Sequence, residues 1–142
     1  MKSRTKSFII LMLTALFLAG YLANNEFQKD ASSSSQVIEA FKNKKRDIQV
    51  SGGGKVVKIL RDDLKGSRHQ RIIVQIDTGL TVLIAHNIDL APRINDISPG
   101  DHLLFYGEYE WNDKGGVIHW THHDPRKRHP DGWLKFKGQT YQ

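Results

Sequence analysis

From residue 48 onward the chain breaks into short apolar runs punctuated by Gly, Asp and Pro at regular intervals. This texture is the signature of a small all-β domain. The sequence contains no cysteine, so neither disulfides nor a lipid-attached cysteine can help to hold it, and the core alone must stabilise the fold. The first strand is expected over residues 54–62, GKVVKILRD, where Gly52 to Gly54 permit a bulge or a close backbone approach. QRIIVQID (70–77) and LTVLIAHN (80–87) read as a hairpin closed over Asp77, Thr78 and Gly79. Residues 88–101 carry two prolines and form the longer connection. HLLFYGEYEW (102–111) and GVIHWTH (116–122), joined by NDKG, read as a second hairpin.

Three strands, a longer connection and a two-strand hairpin match the OB-fold, a five-stranded partly open barrel. A barrel also removes the edges that such apolar strands would otherwise expose. An SH3-like barrel is the alternative. Neither names a function, because one fold hosts many.

Ahead of the strands, QVIEAFKNKKRD (36–47) predicts a short helix with Ser35 as N-cap and Val37, Ile38 and Phe41 on the packed face. Lys42, Lys44, Lys45 and Arg46 then form a solvated face. NNEFQKDASSSS (24–35) is polar and without periodicity, and predicts a flexible tether. Lys2, Arg4 and Lys6 precede an uncharged apolar run of sixteen residues, Phe8 to Ala23. That is the order of a secretory signal, and the run is short of the roughly 20 residues that span a bilayer comfortably. Residues 1–23 are therefore expected to be a signal peptide or, uncleaved, an N-terminal anchor, and 36–142 a single OB-like barrel domain. The expected address is the periplasm or cell envelope, or the exterior if the signal is removed, with membrane contact through this segment alone. Three of the 21 basic residues and none of the 15 acidic ones lie in it, so the formal charge of +6 falls to 18 against 15, or +3, in the remainder. This mild balance argues only weakly for a polyanion partner.

The phrases DDLKGSRHQRIIV, AHNIDLAPRI, GDHLLFYGEYEW, GGVIHWTHHDP and HPDGWLKFKGQTYQ occur in this order within residues 36–142. In them the chain resembles a family of short exported bacterial proteins catalogued only as a domain of unknown function. The resemblance implies export and one compact domain. It implies no activity, substrate or catalytic residue.

Chemistry concentrates in GGVIHWTHHDPRKRHPDGW (115–133), which holds four of the seven histidines and two of the three tryptophans. A divalent transition metal is one candidate cofactor, since His and Asp are the donors open to a cysteine-free protein. Alternate residues of a strand share a face, so His119 and His123 would stand about 13 Å apart on one side. His122 and Asp124 would share the other, and His129 after the turn is the candidate third ligand. His69 and His86 are more distant candidates. An anionic ligand or nucleic acid is a second candidate partner, gripped by Trp120, Arg126, Lys127, Arg128 and Trp133. Stacking on strands 2 and 3 is disfavoured, because residues 70–87 contain no aromatic side chain. A third reading is a phosphodiesterase with His122 or His123 as base, Asp124 as its orienter and Arg126 to Arg128 on the phosphate. No Ser-nucleophile motif, phosphate loop or paired-Mg²⁺ carboxylate cluster accompanies it, so the sequence leaves enzymatic activity open. A purely structural reading has Trp120 in the core, HPDG as a turn, and the tail from Arg126 to Gln142 plugging the barrel with Trp133 and Phe136. Two smaller features have a ligand-contact reading beside a plainer one. HNIDLAPR, with His86, Asn87, Asp89 and Arg93, reads first as a turn held by Asn and Asp side chains. Lys65, Arg68 and His69 lie in a loop where OB-folds often contact ligands but which is equally an exposed basic surface. The leading expectation is an exported binding module; a His-dependent hydrolase and a nucleic-acid-binding OB domain are its alternatives.

Overall fold

The computed structural model describes residues 2–142, with side chains described for 9–22 and 34–142. The basic residues expected at the head of the signal, and most side chains of the 24–35 tether, lie outside the described side chains. The elements are α1 (Lys2–Lys42), β1 (Ile48–Ile59), β2 (His69–Asp77), β3 (Leu80–Asn87), β4 (His102–Glu110), β5 (Val117–His119), β6 (Trp133–Phe136) and β7 (Gln139–Tyr141). Two compact units result, residues 1–30 and residues 31–142.

The first unit is helical. Leu11, Phe17 and their apolar neighbours stand exposed along it. Among the described residues, no helix is long and apolar enough to cross a membrane. The helix is continuous from Lys2 to Lys42, so it does not begin after Ser35, and Ser35 is an interior residue rather than an N-cap.

In the second unit the strands close in the order β1-β2-β3-β5-β4, with β4 returning to β1. All neighbours are antiparallel except β3 and β5, which run parallel. The architecture is thus the expected all-β, OB-like five-stranded barrel, and it is closed rather than partly open. Closure depends on β1, which reaches back to Ile48 and pairs with β4 through its first half and β2 through its second; Lys55 lies opposite both His102 and Gln75. The strand can bend this way because its middle is Gly52 to Gly54. A Cβ on Gly54 would sit 2.1 Å from the Gln75 carbonyl oxygen, and one on Gly52 would sit 2.7 Å from the Phe105 ring.

Alternation along the strands fills the interior with Val50, Val56, Ile72, Val74, Val82, Ile84, Leu103, Phe105, Tyr109 and Ile118, all at most 2% exposed. The end of α1 adds Val37 and Ala40, while Phe41 stacks on Trp111 at 6.5 Å. Lys42, Lys44, Lys45 and Arg46 are exposed, as the sequence indicates. The 88–101 connection contributes buried Ile94 and Ile97. It is clamped by the buried Gln70 amide, which donates to the Ile94 carbonyl (2.8 Å) and accepts from the Ile94 N–H (3.0 Å).

Two corrections concern the chain after β5. The strand ends at His119, because Trp120 turns out of the ladder with φ of 54°, a left-handed conformation that non-glycine residues seldom adopt. The tail does not merely plug the barrel. It forms the β6–β7 hairpin, turned at Lys137 and Gly138 (φ of 48° and 79°), and adds it to the sheet beside β4. Leu134, Phe136 and Tyr141 are buried, whereas Trp133 is half-buried against Tyr106.

Candidate functional site

Strand β4 has two partners along one edge: β5 opposite Glu108 to Glu110, and β6 opposite Leu104 to Tyr106. The chain between them, 120–132, is extruded as a loop whose ends meet where Gly132 donates to the His122 carbonyl (3.0 Å). Only glycine fits there: a Cβ on Gly132 would lie 1.9 Å from the Trp120 oxygen.

Two aspartates organise this loop. The Asp124 carboxylate accepts N–H groups from Arg126 (2.9 Å), Arg128 (2.7 Å) and His129 (2.9 Å). Its pKa is held below the ordinary carboxylate range by these bonds, that from Arg126 first. Asp131 accepts the Asp124 N–H (2.8 Å) and faces His123 Nδ1 at 3.0 Å; the first of these contacts chiefly lowers its pKa. Asp124 is thus turned onto backbone amides, and Asp131 is the residue paired with His123.

Trp120 projects over the loop and is half-buried, not a core residue. His129 stacks on it at 4.1 Å and His122 lies against it at 5.4 Å. His129 Nδ1 faces the Pro130 carbonyl (2.8 Å) and Nε2 the Glu108 carboxylate (2.6 Å). Both partners only accept, so both ring nitrogens donate and the ring is an imidazolium. Burial pulls the His129 pKa down, but the Glu108 hydrogen bond and charge and the Pro130 carbonyl outweigh it and leave the value raised. Glu108 also faces His119 Nε2 at 3.1 Å with its other oxygen, so one carboxylate stands between two imidazoles.

Beside this lies a cleft of about 510 Å³ lined by Leu90, Trp120, Asp124, Pro125, Arg126, Arg128 and His129. Leu90, Trp120 and Pro125 supply apolar surface. The guanidinium groups of Arg126 and Arg128 have no hydrogen bond or ion pair among the described residues.

Of the anion-binding residues expected from sequence, Trp120, Arg126 and Arg128 therefore meet in one cleft. Lys127 and Trp133 do not line it. The expected metal set of His122, Asp124 and His129 does not converge. Among the described residues, the one set of three metal-type donors lying within 4.8 Å of one another is Glu108, Glu110 and His119. His122 is 3% exposed and its Nδ1 donates to the His123 carbonyl (2.7 Å). His86 is wholly buried; its Nε2 faces the Pro92 carbonyl (3.1 Å) and its Nδ1 the Thr121 hydroxyl (2.8 Å). His69 Nδ1 bonds the Ser67 carbonyl (2.8 Å). The surface features behave as turns and ion pairs: Asn87 accepts the Asp89 N–H (2.9 Å), and Arg68 pairs with Asp89 at 2.6 Å.

Glu108 and Glu110 carry no signal of this role in the sequence. Both lie at the half-buried positions of the alternating β4 strand, and nothing in one chain segment indicates that His119 and His129 will be carried to them.

The fold and site together define a small closed β-barrel with a loop-built cleft on its outer surface. The chain belongs to the family described as Protein of unknown function (DUF3465), whose model matches residues 18–142. No curated protein matches it.

Proposed function

We propose that this protein is an exported cell-envelope binding module that takes a small anionic ligand with an apolar or ring-shaped body in the cleft at Trp120. One observation carries this reading: the guanidinium groups of Arg126 and Arg128, which make no hydrogen bond or ion pair among the described residues, flank apolar Leu90, Trp120 and Pro125, while the adjacent Asp124 carboxylate is directed to backbone N–H groups and feels only the more distant charge of Arg128. An anion entering there meets donors suited to carboxylate or phosphate without displacing an internal partner. Export is supported by the basic residues and apolar run of the first 23 positions.

The alternatives have less support. The hydrolase reading took Asp124 as the orienter of its base, and Asp124 accepts backbone N–H groups instead; the pair that stands in its place, Asp131 with His123, is exposed and does not line the cleft. A nucleic-acid-binding OB surface needs aromatic side chains on β2 and β3, and these strands have none.

The test is calorimetric titration of the full chain, kept in detergent because of its exposed apolar residues, with benzoate, phenyl phosphate and a mononucleotide. Binding of at least one probe is expected, and an Arg126→Ala, Arg128→Ala double variant should weaken it by about tenfold or more, given the strength of charge-assisted hydrogen bonds. Uptake of none of the three, or uptake indifferent to both arginines, refutes the reading. A reporter phosphatase fused after Gln142 should be active outside the cytoplasm; activity confined to the cytoplasm refutes export.

A further inference from the structure

We propose that Glu108, Glu110 and His119 bind one divalent first-row transition-metal ion, of the zinc or manganese class, on the outer face of the barrel. The site shares no ligand with the anion cleft, although His129, which lines that cleft, hydrogen-bonds the second oxygen of Glu108.

Its construction follows from strand geometry. Glu108 and Glu110 are two apart on β4 and project to the same, outer side. His119 is the direct cross-strand partner of Glu108 in β5. Their donor atoms lie within 4.8 Å of one another. Ions of this class hold nitrogen and oxygen donors at about 2.0–2.2 Å, so two ligands of one ion stand up to roughly 4.4 Å apart. Small side-chain rotations close the remaining gap.

Two further observations mark buried polar atoms without a hydrogen-bond partner beside this row. The Nε2 atom of His119 is buried and makes no hydrogen bond, although it stands 3.1 Å from the Glu108 carboxylate. It faces the carboxylate without the alignment that a donated proton requires, an arrangement suited to a lone pair directed at a shared cation. On the other side of Glu108, Gln49 is its register partner in β1, and both the amide oxygen and the amide nitrogen of Gln49 are buried without a partner. Buried polar atoms are normally satisfied. Here they occur on both sides of the same carboxylate.

The surroundings also hold the ligands in place. His129 Nε2 binds the second oxygen of Glu108 (2.6 Å), the Asp47 N–H donates to Glu110 (3.2 Å), and Arg46 pairs with Glu110 (3.5 Å). Such outer contacts orient carboxylate ligands and tune their charge. One imidazole with oxygen donors and no sulfur favours zinc or manganese over soft copper(I).

The full chain in detergent, stripped with chelator, would be titrated calorimetrically at neutral pH with Zn²⁺ and with Mn²⁺. We expect one equivalent of at least one ion per chain, weakened about tenfold or more in each of Glu110→Gln and His119→Ala, with circular dichroism confirming that both variants fold. His123→Ala and the Arg126→Ala, Arg128→Ala variant should bind as the parent does. Glu108→Gln is less informative alone because Glu108 also holds His129. Failure to bind either ion, unchanged affinity in both Glu110→Gln and His119→Ala, or loss of binding in His123→Ala alone would overturn the proposal. None of these outcomes bears on the anion cleft, whose probes are titrated without metal.

Discussion

The imidazole of His129 lies flat on the indole of Trp120, with ring centroids 4.1 Å apart and planes 11° from parallel. Because both nitrogens of His129 face acceptors, this is a cation on an aromatic face. The stack fixes the wall of the cleft, and its charge makes that wall sensitive to pH.

The first prediction concerns this charge. The His129 pKa is raised above its ordinary 6.5, so its contribution to stability is fully present below that value and is lost as pH rises through the folded-state pKa. Proton NMR titration should find His129 titrating above 6.5, and Glu108→Gln should bring it down. A titration below the ordinary value would mean that the stack is not cationic.

His86 gives the opposite dependence. Burial lowers its pKa from 6.5 to about 4, against the smaller raising effect of the Pro92 carbonyl. The folded protein holds it neutral, with Nε2–H donating to Pro92 and the Thr121 hydroxyl donating to Nδ1. The unfolded chain alone takes up the proton between these two values. Stability is therefore retained above 6.5 and falls as pH drops toward 4, by about 3 kcal/mol from this group. His86→Gln should flatten that part of a stability–pH curve; an unchanged slope would assign it elsewhere. Thr121→Val, which leaves Nδ1 without a donor, should cost about 1–3 kcal/mol in denaturant unfolding.

Arg126, Lys127 and Arg128 are exposed, yet the backbone around them is tied to Asp124 by three hydrogen bonds. Trypsin should therefore cut this loop slowly. Asp124→Ala is expected to accelerate cleavage there by about tenfold or more while leaving the barrel folded, since the loop opens locally rather than globally. Equal cleavage rates in parent and variant would show that Asp124 does not order the loop.

Gly54→Ala tests barrel closure. The added methyl meets the Gln75 carbonyl at 2.1 Å, and backbone cannot rotate aside as a side chain can. The variant should lose at least about 1–3 kcal/mol of stability, measured by urea unfolding. Gly66→Ala is the contrast within the same chain, with open space around the new methyl and only its φ of 67° to oppose it. A Gly54→Ala protein as stable as the parent would mean that β1 does not bend tightly at this point.

Much of the barrel was legible because strand alternation and turn chemistry are local. The β2–β3 hairpin has the expected ends, with Gly79 at φ of 82°, and β4 ends within one residue of the reading. The turn before β5 is held by Asn112, which accepts from Lys114 (2.9 Å) and Gly116 (3.0 Å). The β6–β7 hairpin was also encoded locally. Leu134 and Phe136 alternate with Trp133 and Lys135, and Lys137-Gly138 is a two-residue turn.

The histidine-rich segment was not legible in the same way. An extended strand through His122 would alternate its side chains between two faces, but a single residue with positive φ, Trp120, ends that alternation. Asp124 illustrates the consequence. As a strand residue beside two histidines it reads as a ligand or orienter, but in the loop it caps three N–H groups.

Sequence by itself determined the class of fold and the succession of the five barrel strands along the chain, because these follow from period, spacing and turn residues within a few positions of one another. Tertiary structure alone decided that His119 faces Glu108 from across a strand pair and that His129, 21 residues along the chain from Glu108, returns to its other oxygen. Register between strands and the path of an extruded loop are set by packing over the whole barrel. No local pattern carries them.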